Sequence, residues 1–562
     1  MRPALLLSLA CTLFAGACTH AAPIATASAL EPGYSAPRAE TGAGWFATGA
    51  AAAARRGAPD ARARNVILFL GDGMSLTTVA AARILDGQSR GEHGEENLLA
   101  FERLPHTGLV KTYNTDSQTP DSAGTMTALL TGAKTRIGLI SIGPEVLRGD
   151  CGAALAHPLT TAFELAESAG LATGIVTSTR LTHATPAAAY AHAPDRSWES
   201  DTDLPADAVA AGCRDIARQF VEFDVGDGID VALGGGRREF TPATEVDPEY
   251  PQFPGRRLDG RDLVAEWRQR YPEGRYVWNA AQLSALDLAA TPRLLGLFEP
   301  DHLHYEHDRP TDGAGEPSLA ELTRAAITIL RRNPAGFVLL VEGGRIDHAH
   351  HESNAYRALT DTVAFSQAVA AALEETAGRD DTLIVVTADH SHTLTFAGYP
   401  ARGNPILGKV EGVSGQDSLP GLARDALGLP YTTLVYANGP GYTGASLQQP
   451  AGPKRHEHKP SGYQVAQGRP DLSQVDTTDP DYLQEALYPL SSESHGGDDV
   501  GVWASGPGAA AVRGTMEQNV LFHLMLRAQP ALQAELCRLS GCKAGVPQAL
   551  PDRSKLRRAP AR

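Results

Sequence analysis

Six side chains that can hold a metal crowd the thirteen residues 341–353, VEGGRIDHAHHES: Glu342, Asp347, His348, His350, His351 and Glu352. Asp347 and His351 lie four apart, which on a helix puts both on one face, the spacing that also serves HExxH sites. His348 and His350 point elsewhere on such a helix and read as supporting or surface groups. Glu342 ends an apolar run, GFVLLVE. The same ending recurs twice: Asp72 closes NVILFLGD, and Asp389 and His390 close TLIVVTADH. Solvated turns do not place acids repeatedly after buried runs, so three such endings point to convergence on one metal centre. Neutral imidazole with carboxylate suits zinc, whereas carboxylate with hydroxyl suits magnesium.

A nucleophile stands in TPDSAGTMTALLTGAKT, where Ser122 precedes a run of small and apolar residues with helical character. Taken alone, Asp-Ser ahead of a helix is an ordinary N-cap. At a helix N-terminus, however, the hydroxyl sits in a positive field that favours anions. A neighbouring metal can activate it without a histidine base.

Such ligands need a scaffold that brings distant chain ends together. Continuous Val/Ile/Leu runs alternate with helical patterns, as in NVILFLGDG before SLTTVAAARILDG, and in DVALGGG, GFVLLVEGG and TLIVVTADH. That alternation predicts an α/β fold, a mostly parallel sheet with helices on both faces. Ligands in such folds bind beyond the carboxyl ends of the strands, where these acids and histidines fall. The 562-residue chain is 42% hydrophobic and 20% charged, enough for a large core. Its net charge of −16 argues against nucleic acid as a stable partner.

The flanks read differently. Residues 1–18 form an export leader: an early Arg, an apolar run from Ala4 to Ala17 too short for a permanent membrane span, then small residues. Cys18 follows AGA, so lipidation of Cys18 and simple cleavage both stand, with a periplasmic or envelope-anchored destination. Residues 19–64 read as a tether and N-terminal arm, and 546–562 as a flexible tail. The core covers 65–399 and 493–545. Residues 400–492, rich in Gly, Pro and Gln with one clear strand, TTLVYANG, read as an insertion. Four cysteines remain outside the leader, and export favours their pairing. Cys537 and Cys542 are near enough to close a small loop, leaving Cys151 for Cys213.

Six segments occur together in one order: GDGM, TPDSAGT, HATPAAAYAHAPDR, VEGGRIDHAHHES, TADHSH and ESHGGDDV. Together they resemble the alkaline phosphatase family from about Asn65 to about Cys542. GLFEPDHLHYE, YRALTDTV and NGPGY place the likeness near its animal-type branch. The resemblance implies two zinc ions and one magnesium. Asp347, His351 and His495 would hold the first zinc, and Asp72, Asp389 and His390 the second, facing Ser122. Asp72 would bridge to magnesium, completed by Thr185 and Glu342. Arg196 would clamp phosphate, and His392 would hold Asp347. His183 matches a position beside magnesium that is His in animal-type members and Asp in a bacterial form. A peripheral calcium site is implied at Glu249, the carbonyl of Phe298 and Glu299. Glu316 stands there for an expected Asp, after two inserted residues. The resemblance further implies a crown-like role for 400–492 and a homodimer.

The implied activity is hydrolysis of small phosphate monoesters through a phosphoserine on Ser122. Two alternatives remain in view. One is a phosphodiesterase of the same superfamily; a sulfatase would need a C/S-x-P-x-R pattern, which DSAGT is not. The other is a non-catalytic metal-binding lipoprotein, which would need neither Ser122 nor Arg196.

Overall fold

Ten strands make the main sheet of the computed structural model, which describes residues 36–57, 62–412 and 421–558. The leader and Cys18 lie outside the described residues. The strands are β1 (Asn65–Gly71), β2 (His106–Lys111), β3 (Ala172–Arg180), β4 (Val231–Gly235), β5 (Arg275–Val277), β6 (Leu294–Leu297), β7 (Phe337–Gly343), β8 (Thr382–Ala388), β9 (Val500–Ser505) and β10 (Gly514–Glu517). They lie in the order β10-β2-β9-β8-β1-β7-β3-β4-β6-β5. Only β9 runs against its neighbours, β8 and β2; every other pairing is parallel. Every residue of β1, β7 and β8 is buried, as expected for a sheet covered on both faces.

Two helix groups provide that cover. Helices Leu76–Ser89, Leu319–Leu330 and Ala355–Glu375 pack together on one side. Helices Ser122–Thr131, Ala162–Ala169, Gln518–Ala528 and Pro530–Ser540 form the other, joined by Gly42–Arg56. Leu319–Leu330 shows how sequence sets such an element. Ser318 and Glu321 form a capping box, and Leu322, Ala326, Ile329 and Leu330 repeat at helical spacing on its buried face.

Register then positions the site. β1 pairs with β7 so that Leu70 faces Glu342, and with β8 so that Gly71 faces Ala388. Asp72 and Asp389 therefore leave adjacent parallel strands at the same edge, beside Glu342.

Two flanks depart from expectation. The N-terminal arm contains a helix, Gly42–Arg56, capped by Thr41, with Trp45, Phe46, Ala50 and Ala53 buried. Its alanines have high helix propensity and allow close packing, although they carry little periodic signal. The tail is ordered through Arg558 rather than frayed. Arg553 pairs with buried Glu164, and Leu556 is buried. Residues 400–492 hold more than the one expected strand. Leu434–Gly439 pairs with Leu394–Phe396 and Ala486–Pro489, and Lys454–Arg455 pairs with Tyr482–Leu483. The disulfides are Cys151–Cys213 and Cys537–Cys542. Among the described residues no helix is long and apolar enough to cross a membrane.

Candidate metal centre and nucleophile

The short helix Arg345–His351 follows β7 and carries Asp347 and His351 on one face, with His351 Nε2 3.3 Å from Asp347 Oδ2. His495 arrives from the segment before β9, its Nε2 3.1 Å from that of His351 and 3.4 Å from Asp347 Oδ1. Each ring is oriented through its other nitrogen: His351 Nδ1 faces the Glu493 carbonyl at 2.5 Å and His495 Nδ1 the Pro120 carbonyl at 2.7 Å. Those carbonyls can only accept, so each Nδ1 carries a proton, and in the neutral ring the Nε2 lone pair points inward.

A second group adjoins the first. His390 Nε2 lies 3.4 Å from Asp72 Oδ1, 3.3 Å from Asp389 Oδ2 and 3.2 Å from Ser122 Oγ. Ser122 Oγ is 3.4 Å from Asp72 Oδ1. Gly73 sits between the groups with φ +67°, and a Cβ there would lie 2.4 Å from the His392 ring. A third group joins Asp72, His183 and Glu342, with ligand atoms all within 4.8 Å of one another. Thr177 and Thr179 both donate to Glu342 Oε2. Glu342 Oε1, Asp72 Oδ2 and Thr185 Oγ1 remain buried with no hydrogen-bond partner.

Electrostatics gives the three groups one meaning. Burial, then the charges of Asp389, Asp347 and Glu342, pushes the Asp72 carboxyl well above the usual range. Glu342 is pushed up to about 7, chiefly by burial. Burial, then His495, holds His390 well below the ordinary histidine value, so its ring is neutral. Burial would also raise Asp347, but His351, His392 and His495 hold it well below the usual range. Converging carboxylates, inward lone pairs and unpartnered oxygens fit bound cations, which would offset the charge that the protein alone leaves uncompensated.

Asp121 caps the helix Ser122–Thr131, its Oδ1 accepting from Gly124 N, while Oδ2 accepts from Arg196 Nη1 at 3.2 Å. Arg196 Nη2 is 3.2 Å from His183 Nε2. His392 Nε2 donates to Asp347 Oδ1 at 2.7 Å and Nδ1 to Glu493 Oε2 at 2.5 Å. Burial opposes its charge, yet Glu493 and Asp347 push its pKa up to about 10, so both nitrogens donate. His348 Nδ1 lies 2.9 Å from Arg345 Nη1, and its ring lies beside those of His302 and His183. His350 is buried between Thr78 and Tyr436 and serves packing.

Sequence reasoning missed Glu493, Asp121's grip on Arg196, and the two threonines on Glu342. Glu493 stood two residues before His495 in a quoted motif, a signal that nearness to a ligand could have raised. Asp121 carries in sequence only the signature of a helix cap.

Away from this centre, Glu249, Glu299 and Glu316 gather with Asp312, which the sequence reading did not include. Burial, then Glu316, Glu249 and Asp312, pushes Glu299 up to about 10. Burial and Asp312 push Glu249 up to about 7. Phe298 precedes Glu299 with a buried ring, and its amide donates to the Gly234 carbonyl.

Fold and site together define an α/β enzyme with a serine and an arginine set inside a metal-ligand cluster. The alkaline phosphatase sequence profile matches residues 63–530. The chain is 46% identical over 473 residues to the tissue-nonspecific alkaline phosphatase of Gallus gallus, covering 83% of this chain and 84% of that protein. It is 43% identical to the Homo sapiens isozyme, covering 83% of each. The Thermus thermophilus alkaline phosphatase structure shares the fold with TM-score 0.59 at 27% identity, covering 85% of this chain and 94% of that one. The chain belongs to the alkaline phosphatase family, metal-dependent hydrolases of phosphate monoesters.

Proposed function

We propose that the chain hydrolyses small phosphate monoesters through a phosphoserine on Ser122, using two zinc ions and one magnesium. The carrying observation is Ser122 Oγ, at a ten-residue helix's N-terminus, 3.2 Å from His390 Nε2 and 3.4 Å from Asp72 Oδ1. Asp347, His351 and His495 would hold one zinc, and Asp72, Asp389 and His390 the other. Asp72, Thr185 and Glu342 would hold magnesium. When bound, these ions supply Lewis acidity and offset charge on the attacking and leaving oxygens.

The chain's own groups do the rest. Ser122 Oγ attacks phosphorus in line as the ester oxygen departs, and water later breaks the Ser122–phosphorus bond. Arg196, steadied by Asp121 and His183, offers its fork to two non-bridging oxygens of a dianion. A monoester dianion has three non-bridging oxygens and two charges where a diester has two oxygens and one charge, so a cationic fork favours the monoester. The test pairs metal analysis with hydrolysis of a monoester, a diester and a sulfate ester, each with and without chelator. Monoester turnover that chelation abolishes and zinc with magnesium restores supports the reading; a diester or sulfate preference overturns it.

Export, by cleavage or lipidation at Cys18, is supported by the two disulfides. A homodimer through 400–492 is supported by exposed apolar side chains there, including Leu427, Leu447, Val465 and Tyr488. The resemblance assigns calcium to the cluster at Glu249, the Phe298 carbonyl, Glu299 and Glu316.

A further inference from the structure

The peripheral cluster contains a donor that an oxygen-only site lacks. His304 Nδ1 lies 3.5 Å from Glu316 Oε2 and 3.8 Å from Glu299 Oε1. Glu299, His304 and Glu316 each offer a ligand atom within 4.8 Å of the others. Glu299 is 3% exposed, and its Oε1 has no hydrogen-bond partner. The same is true of three further shielded atoms, Glu249 Oε2, Asp312 Oδ2 and His304 Nδ1. Arg237 approaches Glu249 Oε2 only to 3.7 Å and is committed to Asp247 by two short hydrogen bonds.

Backbone amides hold this arrangement open. Ala314 N donates to Glu249 Oε1, leaving Oε2 free, and His304 N donates to both Glu316 oxygens. Asp247 Oδ1 accepts from the amides of Glu249 and Tyr250, fixing the turn that presents Glu249. Three of these four carboxylates, Glu249, Glu299 and Asp312, therefore each keep a buried oxygen that no protein donor satisfies. That is costly in a protein interior unless a cation enters.

We propose that Glu249, Glu299, His304, Asp312 and Glu316 form a site for a transition-metal dication of the zinc class, with His304 Nδ1 as its nitrogen ligand. Calcium prefers six to eight oxygen ligands, whereas an imidazole nitrogen among carboxylates selects zinc and its neighbours. The ion ties the turn at Glu249, the end of β6 at Glu299 and the 304–316 loop together. It lies apart from Ser122 and needs nothing from the catalytic reading.

The test uses full-length wild type, Glu299→Gln and His304→Gln, each dialysed against equal zinc and calcium and then counted for metal. Wild type should hold one zinc more than Glu299→Gln. His304→Gln should bind that zinc at least about tenfold more weakly and take calcium in its place. One extra calcium in wild type would overturn the proposal and restore an oxygen-type site. No metal difference would also overturn it, leaving protonated His304 as the cluster's own cation. Undiminished zinc binding by His304→Gln would remove the nitrogen ligand. If Glu299→Gln folds poorly, Glu249→Gln provides the same subtraction. Monoester turnover in each variant reports separately on the catalytic reading.

Discussion

Both the proposed catalytic centre and the peripheral cluster gather carboxylates and histidine around unpartnered oxygens, yet only the first sets a serine hydroxyl at a helix N-terminus among them. There most of the candidate ligands sit at or just beyond the ends of β1, β7 and β8, three adjacent central strands, and Ser122 heads a helix beside them. Histidine rings there are oriented by fixed carbonyls and by Glu493. In the peripheral cluster, Glu299 follows β6 near the sheet edge, and the other ligands come from loops held by backbone amides. No serine, threonine or cysteine is among its converging side chains. Metal ligands alone make a brace; a hydroxyl in a helix field with a guanidinium opposite makes a reaction site.

Removing Ser122 tests that contrast most strongly. Ser122→Ala should keep its metals but lose the phosphoenzyme, with turnover down at least about a hundredfold, ~3 kcal/mol of barrier. Unchanged turnover and covalent labelling would make the two clusters equivalent after all. Arg196→Ala should weaken phosphate and monoester binding by roughly 1.5–3 kcal/mol while sparing a diester. Inhibition by inorganic phosphate, measured beside both ester types, checks this; equal losses would remove the clamp.

Glu493→Gln should loosen the zinc nearest Asp347 by about 10- to 100-fold in chelator competition, because His392 loses the carboxylate that orients it. Zinc retention equal to wild type would show that His392 orients Asp347 unaided. A smaller gain is expected at His183. A carboxylate there adds charge beside Asp72 and Glu342, so His183→Asp should need less added magnesium for full activity. Titration of magnesium at constant zinc reads the half-saturation, and a value no lower than wild type would defeat the idea.

The mildest effect belongs to the peripheral cluster. Metal-free, its Glu249 and Glu299 have raised pKa values, about 7 and about 10. The folded chain then binds more protons than the unfolded chain above the ordinary carboxyl range. Stability in chelator should therefore fall as pH rises toward those values, and added metal should remove the slope. Melting temperature against pH, with and without metal, decides it. Glu249→Gln should flatten the metal-free slope and leave turnover nearly unchanged.

Much of the proposed catalytic centre is legible in the chain. Apolar runs ending in Asp72, Glu342 and Asp389 announced both the parallel sheet and the edge that carries ligands. The spacing of Asp347 and His351 announced a shared helix face. Those signals are local, set by the periods of strand and helix.

What the tertiary structure alone decided concerns residues far apart in sequence. Glu493 meets His392 across 101 positions, and Arg196 meets Asp121 across 75. Arg553 docks the tail onto Glu164 across 389. His304 and Asp312 enter the peripheral cluster because a loop folds over Glu299. Local pattern states which way a side chain faces on its own element. Which element stands opposite follows from strand order and loop path, and these are settled by packing the whole core at once.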